Sequence, residues 1–297
     1  MGGRAFGITK VRLGCVGSAG AMLIATACGG ASQGPVPVTT PGPHLYWAND
    51  HGSTIGASDL DGTHVAKAVI VGANRPCGVA TDGRHIYWAN EGTTTIGRAN
   101  LDGSNVQQDF IVGAAEPCGV VVAGGHIYWA NTRWPSGTTI GRANLDGSNI
   151  QQDFIKDAKT PSSMASDGTY IYWTNAFGPS IGRATLDGKT VDQTFIKAES
   201  DPSGVAVTDG SIYWTDLDRG TISRANVDGS HERLDIVKDI HGPCGVTVDT
   251  RYLYWADLGP LGPENGTAIG RANLDGSSPQ QKFIGGLDAP CGLAIFD

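Results

Sequence analysis

The sequence predicts an all-β fold: a six-bladed β-propeller with four antiparallel strands per blade and a ring closed by the C-terminal strand joining the first blade. Three observations carry that expectation. Gly (44) and Pro (15) are plentiful among the 297 residues, a composition suited to many short strands and tight turns. A unit of about forty residues recurs six times, beginning at Tyr46-Trp47, Tyr87-Trp88, Tyr128-Trp129, Tyr172-Trp173, Tyr213-Trp214 and Tyr254-Trp255, with spacings of 41, 41, 44, 41 and 41 residues. The repeats start on a Tyr-Trp segment and end on a lone Pro290-Cys291-Gly292-Leu293-Ala294-Ile295-Phe296 segment, which belongs at the front of a repeat and so must complete the first blade.

At the N-terminus, Arg4, Lys10 and Arg12 precede an uncharged stretch from Leu13 to Ala27. That is the order of a secretory signal, assigned to residues 1–27, and it is short for a bilayer span. The run Leu23-Ile24-Ala25-Thr26-Ala27-Cys28-Gly29-Gly30 resembles the lipobox of bacterial lipoproteins, with Ala25 where the motif prefers Leu. The resemblance implies acylation of Cys28 and a cell-envelope location; the alternative is plain cleavage after Ala27 and a secreted protein. Residues 28–43 comprise this Cys and a linker rich in Gly, Ser and Pro that cannot form a core. Formal net charge is −8, and the signal holds three basic residues and no acidic one, so the remainder is more acidic still. Such a surface argues against nucleic acid and anionic headgroups as partners, leaving the N-terminal lipid as the membrane contact.

Within residues 44–297 each copy reads IYWxN/D, IGRANLDG, an FI-type pair and PCGVxV, or close variants. Four short strands per unit and no 3.6-residue apolar period fit a propeller blade rather than a helical repeat. Segments such as GVAVT show little polar alternation because stacked blades bury both sheet faces. The Leu-Asp-Gly of each copy predicts a hairpin turn, since Asp-Gly accepts positive φ. Six Tyr-Trp units followed by I-x-R-A-x-L-D-G resemble the YWTD, or class B, repeats of the low-density lipoprotein receptor family across essentially the whole of 44–297. Only Tyr213-Trp214-Thr215-Asp216 is the full tetrad, and no Cys-rich module follows, so bacterial exported propellers with YWTN-like repeats are the closer comparison.

In a repeat protein, residues present in every copy are explained by architecture, and function is sought where copies differ. That filter assigns the Tyr-Trp pairs, Arg98, Arg142, Arg183, Arg224 and Arg271, and the Asp-Gly turns to the framework. His44, His85 and His126 align in three blades but are too far apart to share a metal and read as solvated turn residues. The Asp59-x-Asp61-Gly62 fragment lacks the remaining ligands of a calcium loop. No catalytic motif, metal site or cofactor motif is found. The span from Tyr to the Ile of the next strand is 9 residues in four blades, but 12 in blade 3 and 15 in blade 6. These two loops lie on opposite sides of the ring, on the face where the innermost strands begin. Arg133 and Trp134 from the first, Glu264 from the second, and Phe177, Asp216 and Asp218 from blades 4 and 5 are the candidate ligand contacts; drift in surface loops is the competing explanation.

Cys77, Cys118, Cys244 and Cys291 share one repeat position in four contiguous blades, where blades 4 and 5 carry Ser162 and Ser203. Neighbouring-blade disulfides would pair Cys77 with Cys118 and Cys244 with Cys291 if the Cα atoms come within about 7 Å; buried free thiols are the next alternative, and a metal site the last, because an arc of four does not converge tetrahedrally. The expected function is a lipid-anchored scaffold whose insertion-bearing face binds an unknown protein or glycan. The alternatives are an envelope hydrolase or lyase of the gluconolactonase-like propeller class with a metal in the channel, and a structural surface protein without a specific ligand.

Overall fold

The computed structural model describes residues 44–133, 137–176, 178–208, 210–259 and 267–296, all strand, turn or irregular backbone with no helix among them. Twenty-four strands form six four-stranded antiparallel sheets. Blade 1 combines β1 (His44–Asn49), β2 (Thr54–Asp59) and β3 (Ala66–Val71) with the last strand, β24 (Pro290–Phe296). Blade 2 runs from β4 (Pro76–Thr81) through β5 (His85–Asn90) and β6 (Thr95–Asn100) to β7 (Gln107–Val112). Blade 3 extends from β8 (Pro117–Ala123) to β11 (Gln151–Ile155) and blade 4 from β12 (Pro161–Ser166) to β15 (Val191–Lys197). Blade 5 extends from β16 (Pro202–Val207) to β19 (Arg233–Val237) and blade 6 from β20 (Pro243–Val248) to β23 (Gln280–Leu287). The predicted closure is present: β24 pairs antiparallel with β1, Tyr46 opposite Ala294 and Leu45 opposite Ile295.

Adjacent residues of a strand point to opposite faces, so each Tyr-Trp pair serves two interfaces. Tyr46 packs in one cluster with Trp88 of the next blade, Tyr87 with Trp129, Tyr128 with Trp173, Tyr172 with Trp214, Tyr213 with Trp255, and Tyr254 with Trp47. All twelve rings are essentially removed from water. The core is therefore six inter-blade layers, each closed by a Tyr from one side and a Trp from the other. The Trp indole lies flat across the glycine of the neighbouring strand, and a Cβ at Gly97 would strike the Trp88 ring, which explains the Gly of IGRAN.

Four of the repeated Arg side chains, Arg98, Arg142, Arg183 and Arg271, are inter-blade clamps, whereas Arg224 donates to Ser211 of its own blade. Arg142 stacks 4.0 Å from the Phe154 ring of its own blade and donates to Leu186 O of the next at 3.3 Å. Arg98 does the same with Phe110 and Leu145 O, and Arg271 with Phe283 and Leu60 O. The Asp-Gly hairpins form as expected: Gly103 adopts φ +80°, and Asp102 accepts the Ser104 N–H at 2.9 Å. These exposed carboxylates are held below their ordinary range by the hydroxyl and amide that bind them. The histidine expectation needs one correction. His44 is buried, 3% exposed, because β24 covers it from the edge of β1.

Candidate functional site

Each inner strand begins with Pro opposite the last residue of the Tyr-Trp strand, as in Pro76 with Asn90 and Pro202 with Asp216. Connections from the second to the third strand therefore share one face of the ring with the starts of the inner strands. This face surrounds the mouth of a central channel of ≈ 530 Å³, walled by all six inner strands.

The face has a repeated anchor. Asn90 Oδ1 accepts the Asn74 N–H at 2.9 Å while its amide donates to Gln108 O and Thr95 Oγ1, which pins two loops to the sheet. Asn131 and Asn175 make the same contacts. Asp216 occupies this anchor in blade 5. It is 3% exposed, accepts Ser200 Oγ at 2.5 and 2.6 Å and takes the Arg219 N–H at 3.0 Å. Its oxygens are spent inside the fold, so this candidate contact is corrected to an anchor.

Around the anchors run two columns in which the blades differ. The residue after the anchor is Asp50, Glu91, Thr132, Ala176, Leu217 or Leu258, and the residue before the inner-strand Pro is Ala289, Arg75, Glu116, Thr160, Asp201 or Gly242. Backbone bonds join the columns, as in Glu91 N–H to Arg75 O and Leu217 N–H to Asp201 O. Asp50, Arg75, Glu91 and Asp201 line the channel. Arg75 pairs with Glu91 at 2.9 Å, and Asp50 Oδ1 is buried without a hydrogen-bond partner among the described residues. Burial raises the pKa of Asp50 and of Glu91, only partly offset by Arg75. Asp201 is pushed up to about 6, first by desolvation and then by the charges of Asp218 and Asp216. Reading the sequence missed Asp50, Arg75, Glu91 and Asp201. The sequence signal was weak, since both columns vary from copy to copy but so do the loop residues beside them, such as His51, Gly92 and Arg133 or Asn74, Ala115 and Ser200.

Of the predicted contacts, Asp218 and Arg133 are exposed on this face, with Arg133 held through its N–H to Ala115 O. Trp134, Phe177 and Glu264 lie outside the described residues. The structure therefore places Asp218 beside Asp201 and leaves Arg133 on another blade.

Just inside the mouth, Cys77 is joined to Cys118 and Cys244 to Cys291, with Cα–Cα distances of 4.9 and 5.0 Å. Neighbouring strands come this close because they converge on the axis. A Cβ on Gly78 would strike the Cys118 carbonyl, and one on Gly245 that of Cys291. Blades 4 and 5 use hydroxyls instead. Thr215 Oγ1 donates to Cys244 O at 3.2 Å and accepts the Gly204 N–H at 2.7 Å, and Ser203 Oγ donates to Pro243 O at 2.6 Å. The Thr of YWTD thus goes with Ser in place of Cys.

The low-density lipoprotein receptor repeat class B family model matches residues 210–250, from the full tetrad of blade 5 to the inner strand of blade 6. No curated protein sequence matches significantly. Among solved structures, a chain of the nidogen/laminin complex is similar at 20% identity and TM-score 0.71, over 86% of this chain and 98% of that one. A streptogramin B lyase is similar at 17% identity and TM-score 0.60, over 88% and 96%. Virginiamycin B lyase from Staphylococcus aureus is similar at 18% identity and TM-score 0.57, over 81% of each chain. At these identities the likenesses speak for the fold alone. Together with the six closed blades they show a six-bladed β-propeller, in which residues 210–250 are similar to the low-density lipoprotein receptor class B, or YWTD, repeat.

Proposed function

We propose that the protein is an exported, lipid-anchored binding scaffold that recognises a protein or glycan through the channel-mouth face. One observation carries the reading: departures from the repeat converge on that face. The two variable columns and the exposed Asp218 and Arg133 belong to it, and the enlarged loops of blades 3 and 6 leave and rejoin their described strands there. Desolvation makes Asp50, Glu91 and Asp201 costly there, and nearby like charges add to the cost at Glu91 and at Asp201. Groups whose charge disfavours the fold are expected where a ligand supplies the compensation. The solved complex of nidogen with laminin contains a chain of this fold, which supports a protein-binding use. A lipid on Cys28 followed by the linker at 29–43 would tether the domain to a membrane.

An envelope hydrolase or lyase is the rival, and it draws on the fold shared with two lyases. Against it, no group of three or more His, Cys, Asp or Glu among the described residues is placed to hold a metal. The test is capture from native envelope by the full chain and by a variant whose blade 3 and blade 6 loops are cut to the nine-residue span of the other blades. Capture lost on shortening, with the melting temperature unchanged, supports the scaffold. Capture that persists after shortening, or turnover of lactone or ester substrates by metal-containing protein, contradicts it.

A further inference from the structure

The four cysteines occupy blades 6, 1, 2 and 3 in ring order as Cys244, Cys291, Cys77 and Cys118, bonded as the two outer pairs. The middle pair, Cys291 and Cys77, is related by the same geometry. A Cβ on Gly292 would strike the Cys77 carbonyl, just as one on Gly78 would strike that of Cys118. Each of the two middle sulfurs thus has a cysteine on either side.

Neither existing bond crosses the seam of the ring. Cys244–Cys291 ties β24 back to blade 6, and Cys77–Cys118 ties blade 2 to blade 3; β24 and β1 are held to each other by strand pairing and packing. A bond between Cys77 and Cys291 would cross the seam and enclose nearly the whole propeller in one covalent loop. All four cysteines line the channel. The outer ones, Cys118 and Cys244, are partly exposed, whereas Cys77 and Cys291 are 8% and 7% exposed.

We propose that this arc is a thiol–disulfide exchange site, in which a small neutral or cationic thiol entering the channel converts the seam from non-covalent to covalent closure. The thiolate RS⁻ attacks the accessible Cys118 sulfur, forming a Cys118–SR bond and expelling the Cys77 thiolate. Cys77 attacks Cys291, breaking its bond to Cys244 and releasing the Cys244 thiolate, which takes up a proton. A second thiol removes RS from Cys118 as RSSR. The protein gains two electrons in all, two small thiols become one disulfide, and one protein disulfide remains, now Cys77–Cys291. Attack at Cys244 gives the same product, because it expels Cys291 beside Cys77. Exchange proceeds where thiolate and disulfide adjoin. The mouth selects the thiol: among the described residues that line the channel, Asp50, Glu91 and Asp201 are opposed by Arg75 alone, which favours cations over anions.

The full chain is treated with limiting cysteamine, quenched with an alkylating agent, and its disulfides mapped by mass spectrometry. The expected product is a Cys77–Cys291 peptide pair with Cys118 and Cys244 alkylated. Opening of a bridge without that pair overturns the proposal. A Cys118→Ser/Cys244→Ser variant should oxidise to the same bond, run faster than its reduced form on non-reducing gels and unfold at higher denaturant than after reduction. A folded variant whose two thiols stay free overturns it as well. Normalised to reaction with a small unstructured disulfide, cysteamine should exceed mercaptoethanesulfonate by about threefold or more at low ionic strength, with the gap closing in high salt. Equal normalised rates at low ionic strength overturn the assigned thiol class. Should the double variant not fold, the wild-type map decides.

Discussion

Replacing Asp201 by Asn isolates the cost of the channel mouth. The folded carboxyl titrates at about 6 instead of 3.8, so the native state binds its proton more tightly than the unfolded chain does. Below pH 3.8 both states are protonated and the group has no effect. As pH rises through 6 the folded state must ionise a carboxyl that is partly desolvated and close to Asp218 and Asp216, and stability falls. The full difference corresponds to at most about 3 kcal/mol. Asp201 is only half-buried, and screening reduces this to about 1 kcal/mol. Asn cannot ionise, so the variant should be more stable than wild type by about 1 kcal/mol at pH 7.5 and nearly equal to it at pH 4. Urea unfolding followed by Trp fluorescence at both pH values reads this difference. A variant that is less stable at pH 7.5, or whose gain is the same at both pH values, would refute the reasoning.

Three further outcomes follow from the framework and the N-terminus. Gly97→Ala pushes a methyl into the Trp88 ring and should cost about 3 kcal/mol, whereas Gly285→Ala, with nothing within 4 Å, should change stability by less than about 0.5 kcal/mol in the same denaturation assay. Arg142→Ala removes the stack on Phe154 and the bond to Leu186 O and should lose about 1–2 kcal/mol; Arg142→Lys should recover little, since an ammonium cannot reproduce the planar stack. Cys28→Ala should move the protein from the membrane pellet to the soluble fraction and abolish incorporation of labelled fatty acid.

Much of the fold was legible because repetition multiplies weak signals. One Asp-Gly or one Tyr-Trp pair says little, but six in phase at about 41 residues specify blade number, strand order and the closing role of Pro290–Phe296. The filter that set Arg98, Arg142 and Arg271 aside as architecture was sound, yet the clamp from a Phe of one blade to a turn carbonyl of the next needed coordinates, because its partners lie 44 to 211 residues away in sequence. Asp216 misled for a related reason. Like Asp257, it stands where four copies carry Asn, but the difference adjusts an anchor, with Ser200 matching it. Asp50, Glu91 and Asp201 went unnoticed because no motif contains them. They acquire meaning only when six loops meet around one channel and desolvate one another's charges.

The central claim is that recognition belongs to the channel-mouth face and not to the Asp-Gly turn face opposite. The most direct measurement is the affinity for the captured envelope ligand of two variants of the full chain. One is Arg133→Ala/Asp218→Ala on the mouth face. The other is Arg84→Ala/Asp102→Ala, on the turns of the other face. The account predicts at least about a tenfold loss in the first, equal to about 1.4 kcal/mol, and wild-type affinity in the second. Loss confined to the second variant would contradict it.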